Sequence, residues 1–221
     1  MLIYFLLILI IPLMASGLVQ STYRKYANVA SSRGMTGYEA ARRILDANGL
    51  YDVNIEEVQG TLSDHYDPRT KTVRLSSDNF HGHSLSAIAV AAHEVGHAIQ
   101  DQHDYAFLRL RSSLVPVASF GSQASYILIL IGLLFGMGNL TLLGIIFMAA
   151  AVAFHLVTLP VEFNASSRAM DQVVQLGIVD HHELGGAKKV LSAAAFTYVA
   201  AALVALLELL RFVAIFANQN D

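Results

Sequence analysis

The chain contains no cysteine among its 221 residues. Disulfides, thiol nucleophiles and cysteine-ligated zinc sites are therefore excluded, and the lack of disulfides fits a catalytic part that faces the cytosol. Charge is also scarce, because only 14% of the residues are Asp, Glu, Lys or Arg, against about a quarter in soluble proteins. The net charge is −3 and no block of five basic residues occurs, which argues against a nucleic-acid partner.

Hydrophobic residues make up 55% of the chain and form long uncharged runs. Leu2–Val19 and Val190–Leu207 each have 18 residues, enough to span a bilayer once. Ser112–Val161 has fifty residues without a charge, which suits two spans joined by a turn at 136–139. The sequence therefore predicts a mainly α-helical polytopic membrane protein with about four transmembrane helices. Glu208 and Arg211, one helical turn apart beyond the last run, predict an interfacial ion pair.

The first run predicts an uncleaved anchor whose N-terminus lies outside. No Lys or Arg precedes it, whereas Arg24 and Lys25 follow it directly. The competing interpretation is a signal peptide, because residues 15–17 (Ala-Ser-Gly) are typical of a cleavage site. Of the 14 basic residues, 13 lie within 21–111 or 162–189, so the positive-inside rule places both segments in the cytosol. The same count predicts that Gly138 and the C-terminal Asp221 face outward.

The polar parts of the chain predict a small α+β portion. A capping-box pattern begins at Thr36 and predicts a helix to about Asn48. Residues 53–58 and 72–75 alternate as strands do, with a turn at Asp67-Pro68. The expected organisation is an N-terminal transmembrane anchor at 1–20, a cytoplasmic portion at 21–111, a transmembrane hairpin at 112–161, a further polar segment at 162–189 and a C-terminal transmembrane helix at 190–217.

The pattern His93-Glu94-Val95-Gly96-His97 lies in a proline-free, Ala-rich stretch that predicts a helix. Residues four apart share one face of a helix, so His93 and His97 can offer two imidazoles to one zinc ion. Glu94 follows the first imidazole and can take a proton from water. The alternative is an amphipathic helix whose histidines only satisfy hydrogen bonds. We favour a zinc hydrolase, since an Ala-rich helix with few other polar residues has little reason to bury the side chains of His93, Glu94 and His97.

Two residues compete for the position of third zinc ligand. His103 stands six residues after His97, as in the metzincin pattern, but Gln100 replaces the glycine that lets the chain turn sharply there. Glu162 lies where the third uncharged run ends, and the charge count places it on the same membrane face as His93 and His97. An acid at a helix N-terminus is the simpler interpretation of Glu162. Glu162 is the better candidate, and His103 stays open.

Residues 91–100 (AAHEVGHAIQ), 159–166 (LPVEFNAS) and 65–68 (HYDP) resemble the bacterial YugP-type neutral zinc metallopeptidases. The resemblance covers nearly the whole chain. The chain is also similar, more distantly, to the HtpX-type and CAAX prenyl membrane proteases, which are gluzincins. This implies zinc held by His93, His97 and Glu162, one ion per chain, with Glu94 as the base.

The distant relatives carry E-x-x-A-D, whereas this chain has Ser166 where that aspartate would stand. The group that orients a ligand histidine is then expected to be Ser166, Asn164 or Asp171.

The function expected from these observations is zinc-dependent endopeptidase activity of a membrane-embedded protein. The catalytic site would face the cytoplasm, and the substrate would be a membrane or membrane-proximal polypeptide. The alternative is a non-catalytic scaffold in which zinc only stabilises the fold, although such a site needs no base such as Glu94. A metal or proton transporter that uses His155, Glu208 and Arg211 is a further rival, but no chain of intramembrane carboxylates supports it.

Overall fold

The computed structural model describes Leu2–Gln219, apart from the side chains of Leu2 and Gln219. The prediction for Asp221 therefore lies outside the described residues. The described elements, in chain order, are α1 (Leu2–Ala27), α2 (Gly37–Ala47), β1 (Asn54–Val58), β2 (His65–Asp67), β3 (Thr72–Ser76), α3 (Ser77–Phe80), α4 (Leu85–Gln102), α5 (Ala106–Leu134), α6 (Gly138–Gln175) and α7 (Leu184–Gln219).

Four of the described helices, α1, α5, α6 and α7, are long and apolar enough to cross a membrane. Helices α1 and α7 contain the first and last uncharged runs, and α5 and α6 share the fifty-residue run between them. Each helix continues beyond its uncharged part. In α6 the helix passes Val161 without a break and ends at Gln175. The prediction of a mainly helical chain with four candidate spans and a small sheet is confirmed, while insertion into a bilayer stays a prediction.

The described chain divides into two compact units, and the first is helical. It comprises the residues up to Met14, Ala106–Val161 and the residues from Tyr198 onward. Within it α5 and α6 approach closely at glycines: a Cβ added to Gly144 would lie 2.9 Å from the Ser125 carbonyl oxygen. Small residues at such positions allow helix backbones to pack against each other in apolar surroundings.

The predicted ion pair between Glu208 and Arg211 is wrong. In the described chain, the Tyr126 hydroxyl donates a hydrogen bond to Glu208 instead. The Arg211 guanidinium lies 4.7 Å from the ring centroid of Tyr4 and 4.9 Å from that of Phe5. Spacing of one helical turn puts two side chains within reach, but aromatic partners from other helices offer the cation a competing site.

The second unit comprises Ala15–Tyr105 and Glu162–Thr197 and carries the small sheet. The strand order is β1-β3-β2, with β1 parallel and β2 antiparallel to the central β3. Helix α2 begins with the predicted capping box, because the Thr36 hydroxyl accepts from the Glu39 N–H and the Glu39 carboxylate accepts from the Thr36 N–H. The predicted helix and strands are confirmed.

One hydrophobic core holds the second unit together. Its buried members come mainly from α2, β3, α4, the C-terminal part of α6, the loop after α6 and the start of α7. They include Ile44, Leu45, Val73, Leu75, Ile88, Val95 and Ile178. Alternate residues of β3 point into this core, as expected for a central strand. Helix α4 is buried along most of its length, so His97 is buried and His93 is mostly buried.

Candidate metal centre

Helix α4 supplies the two histidines of the sequence pattern. The helix begins after Ser84, whose hydroxyl accepts a hydrogen bond from the Ala87 N–H, and this satisfies one of the free donors of its first turn. One helical turn separates His93 from His97, and their ring centroids lie 4.8 Å apart. The α-helical repeat therefore places both imidazoles on the same face of α4.

Helix α6 brings Glu162 to that face through a close contact with α4. The contact is made at Gly96, where an added Cβ would lie 2.5 Å from the Ala165 carbonyl oxygen. Any side chain at position 96 would therefore push the two helices apart. The absence of a side chain here lets a carboxylate on α6 reach the histidines of α4, and Glu162 is 1% exposed.

Three donor atoms converge at this crossing. Glu162 Oε2 lies 3.2 Å from His93 Nε2 and 3.6 Å from His97 Nε2. In a tetrahedral zinc site with bonds of about 2.0–2.2 Å, neighbouring donors are separated by roughly 3.4 Å. Two imidazoles and one carboxylate are also a donor set that zinc accepts and that leaves a fourth position open. The side chains present therefore fit a zinc ion.

Both imidazoles turn the same nitrogen toward this point. His93 Nδ1 lies 3.2 Å from Ser166 Oγ, and His97 Nδ1 lies 3.0 Å from Gln100 Oε1. Each Nδ1 is thus engaged on the outer side of the cluster, which leaves Nε2 of both rings directed inward. Three residues were expected to orient a histidine, and Ser166 is the one that contacts His93 directly. Asn164 accepts a hydrogen bond from Gln100, which in turn contacts His97. Asp171 is exposed.

Glu94 is buried beside the cluster, with 8% of its surface exposed. Burial raises the pKa of its carboxyl to about 7, and the neighbouring charges of Glu162 and Asp64 add to the effect. The charge of His93 and a hydrogen bond from the Tyr66 backbone N–H act in the opposite direction. Tyr66 belongs to β2, so the edge strand of the sheet lies against the residue expected to act as the base.

His103 is held away from the convergent donors. It forms the C-terminal cap of α4, and its Nδ1 accepts a hydrogen bond of 2.9 Å from Arg168 Nη1. Among the described residues, the group whose donor atoms could share one metal ion consists of His93, His97 and Glu162. Helix α4 runs on to Gln102, as expected where the sequence lacks a glycine at position 100.

Gln100 itself was missed as a member of the site. In the sequence, Gln100 stands out only as the residue that replaces the glycine of the metzincin pattern. The available signal was its spacing, because a residue three positions after His97 lies on the same side of a helix. Gln100 is fully buried, so its amide needs hydrogen-bond partners inside the protein.

Comparison with known proteins finds similarity along nearly the whole chain. A family described as "Putative neutral zinc metallopeptidase" matches residues 1–217. The chain belongs to this family. It is also similar to the "Putative membrane protease YugP" of Bacillus subtilis (strain 168), with 58% identity over 203 residues that cover 92% of this chain and 90% of that protein. No solved structure matches the chain. The expected resemblance is confirmed, and the family description names the metal that the donor set fits.

Proposed function

We propose that this protein is a zinc-dependent endopeptidase of the gluzincin type, with one zinc ion held by His93, His97 and Glu162. The observation that carries the proposal is the convergence of two Nε2 atoms and one carboxylate oxygen within 4.8 Å of one another. A buried carboxyl group, Glu94, accompanies them. Membership of a zinc metallopeptidase family supports the same conclusion.

Each group in the site has a role in peptide hydrolysis. When bound, a zinc ion supplies Lewis acidity, which polarises a peptide carbonyl and makes water easier to deprotonate near neutral pH. Glu94 takes a proton from the attacking water and transfers it to the leaving amine as the C–N bond breaks. Ser166 and Gln100 hold the imidazoles in orientation from the outer side.

The substrate that suits this site is an extended polypeptide at a membrane surface. β2 is an edge strand of the sheet and contacts Glu94 through its backbone, and such an edge can pair with an extended chain. Glu162 directly follows the uncharged part of α6, a candidate span. The relative in Bacillus subtilis bears the name of a membrane protease. With the positive-inside count, these features support cleavage of membrane or membrane-proximal proteins at the cytoplasmic face.

The test is hydrolysis of an unstructured protein such as casein by the purified full-length chain in detergent. We expect about one zinc ion per chain, loss of cleavage after chelation, and recovery of cleavage when zinc is returned. Zinc binding without cleavage of any polypeptide would favour the alternative, a scaffold stabilised by zinc. Absence of zinc binding would overturn the proposed site altogether.

A further inference from the structure

A cluster of hydrogen bonds surrounds Asp64, the residue directly before β2. Ser76, at the end of β3, donates its backbone N–H to Asp64 Oδ1 at 2.7 Å. The Ser76 hydroxyl lies 3.2 Å from Oδ1 and 3.1 Å from Oδ2, and Asn79 Nδ2 on α3 donates to Oδ2 at 2.9 Å. Ser76 and Asn79 are 0% exposed. One carboxylate therefore receives three donors from the interior of the unit.

Tyr23, near the end of α1, completes this cluster. Its hydroxyl donates to Asn79 Oδ1 at 2.8 Å, and the residue is 8% exposed. An ionised carboxylate only accepts, so Asn79 must present its NH2 group to Asp64 and its oxygen to Tyr23. Both ends of the Asn79 amide thus have a partner, as a buried amide requires. A polar network with every member partnered holds its side chains in one arrangement.

The strand that follows Asp64 needs this support. β2 has three residues and pairs with one neighbour, β3. The loop before it is exposed at Gly60 and Leu62, whose φ angles are 106° and 55°. A short edge strand that is entered from an irregular loop has few bonds of its own to fix its position. The hydrogen bonds of Asp64 attach the first end of β2 to β3 and α3.

The position of β2 matters because its outer edge faces the proposed base. The backbone N–H of Tyr66, the middle residue of β2, donates to the Glu94 carboxylate. In an antiparallel pair the N–H and C=O of one residue point to the same side, so the Tyr66 carbonyl also points away from β3. Such an edge can accept an N–H from an extended polypeptide. Asp64 stands two residues earlier in the chain, so a shift at Asp64 is passed on to this edge.

We propose that Asp64 is a positioning residue: its hydrogen bonds with Ser76 and Asn79 hold the outer edge of β2 where an extended polypeptide binds. The inference rests on the proposed function, because it takes a polypeptide as the substrate. The hydrogen bonds around Asp64 reach none of the three proposed zinc ligands. Their loss should therefore weaken substrate binding and leave zinc binding as it is.

The test measures KM and kcat for a fluorogenic casein, and the zinc Kd by chelator competition, with the purified full-length protein in detergent. Asp64→Asn replaces one acceptor oxygen with an NH2 group, which meets the NH2 group of Asn79. If Asn79 turns to avoid this, Tyr23 must accept, and its own buried hydroxyl hydrogen loses its partner. Either arrangement leaves one buried donor unpaired.

An unpaired buried donor shifts an equilibrium by roughly fivefold or more, and only the fraction of molecules with β2 in place binds substrate. We therefore expect the KM of Asp64→Asn to rise by about fivefold, with kcat and the zinc Kd as in wild type. A change in KM at constant kcat reports substrate binding rather than chemistry.

A rescue variant tests whether the effect comes from this cluster. Adding Asn79→Asp to Asp64→Asn exchanges the carboxylate and the amide, so every donor again meets an acceptor. The double variant should recover the wild-type KM, and a KM that stays high would overturn the proposal. The matched control is Asp46→Asn, because Asp46 pairs with Arg42 on α2 and lies outside the cluster. Its KM should equal that of wild type.

Thermal unfolding of the metal-free protein separates positioning of the strand from support of the fold. A folded Asp64→Asn with a lower Tm and a wild-type KM would overturn the proposal. Ser76→Ala applies if Asp64→Asn does not fold, since it removes one hydroxyl donor and adds no group. We expect its KM to rise by about twofold, the effect of one lost hydrogen bond, and an unchanged KM would overturn the proposal.

These outcomes can be told apart from failure of the proposed function. A wild type that binds zinc and cleaves casein, with an unchanged KM in Asp64→Asn, would refute the role of Asp64 alone. A wild type that cleaves no polypeptide would refute both.

Discussion

Replacing Gly96 with alanine tests whether the close crossing of α4 and α6 holds the three zinc ligands together. The new Cβ would lie 2.5 Å from the Ala165 carbonyl oxygen and 3.1 Å from its carbon. Favourable contact between such atoms begins at roughly 3.5 Å, so the helices must separate by roughly 1 Å. Metal–ligand distances tolerate only about 0.2 Å. Glu162 would therefore no longer reach the ion together with both histidines.

The expected effect is larger on zinc affinity than on folding. Overpacking at a core position costs about 1–3 kcal/mol, while the change from glycine to alanine inside a helix returns about 1 kcal/mol. The metal-free variant should thus lose at most about 2 kcal/mol of stability, by the difference of those two figures. Its zinc Kd should rise by about tenfold or more. Loss of Glu162 as a ligand should weaken zinc binding more than loss of a residue that only hydrogen-bonds to a ligand.

The assay combines chelator competition for the zinc Kd with thermal unfolding of the metal-free protein followed by circular dichroism. Gly185→Ala is the matched control, because Gly185 also lies in a helix and an added Cβ there meets no atom within 4 Å. It should leave zinc affinity unchanged and stability equal or slightly higher. Wild-type zinc affinity in Gly96→Ala would show that the crossing does not position Glu162.

Three further predictions address the third ligand, acid stability and sidedness. Glu162→Gln should weaken zinc binding severely and His103→Ala should change it little; a zinc titration with the reverse result would favour His103. Burial alone would raise the pKa of Glu183, but hydrogen bonds from the backbone N–H groups of Asp180 and Ser32 outweigh it and leave that pKa lowered. A lowered carboxyl pKa stabilises the fold above the unfolded value of about 4.3 and ceases to do so as pH falls through the folded value. Glu183→Gln should therefore lose less thermal stability than wild type on acidification, and parallel pH curves would contradict the assignment. Sidedness is measured by labelling single cysteines in intact cells with a membrane-impermeant thiol reagent, at Arg69, Gly138, Lys188 and Asp221. We expect labelling only at Gly138 and Asp221. Labelling at Arg69 but not at Lys188 would place the zinc ligands on opposite sides of the membrane.

Local periodicity made much of the site predictable from the sequence. The spacing of His93 and His97 determines that they share a face, because four residues complete about one helical turn. The capping box at Thr36 likewise specifies a helix start from local chemistry alone. Glu162 lies 69 residues from His93, and only the count of membrane crossings and the resemblance to known peptidases connected the two.

Features that depend on contacts between distant parts of the chain could not be predicted from the sequence. Glu208 and Arg211 are one turn apart, but Tyr126 and the aromatic residues of α1 give each a different partner. The alternation in β1 and β3 predicted strands without indicating that they pair in parallel, since pairing depends on the path of the whole chain. The hydrogen bond from Gln100 to Asn164 joins residues that are 64 positions apart in the sequence.

The most direct test of the central claim is a comparison of zinc content and casein cleavage in wild type and Glu94→Gln. Glu56→Gln is the control, because Glu56 is an exposed residue of β1 that pairs with Arg74. The proposed mechanism predicts that Glu94→Gln retains its zinc and its fold but loses cleavage, while Glu56→Gln cleaves as wild type does. Undiminished cleavage by zinc-loaded Glu94→Gln would contradict the assignment of Glu94 as the base.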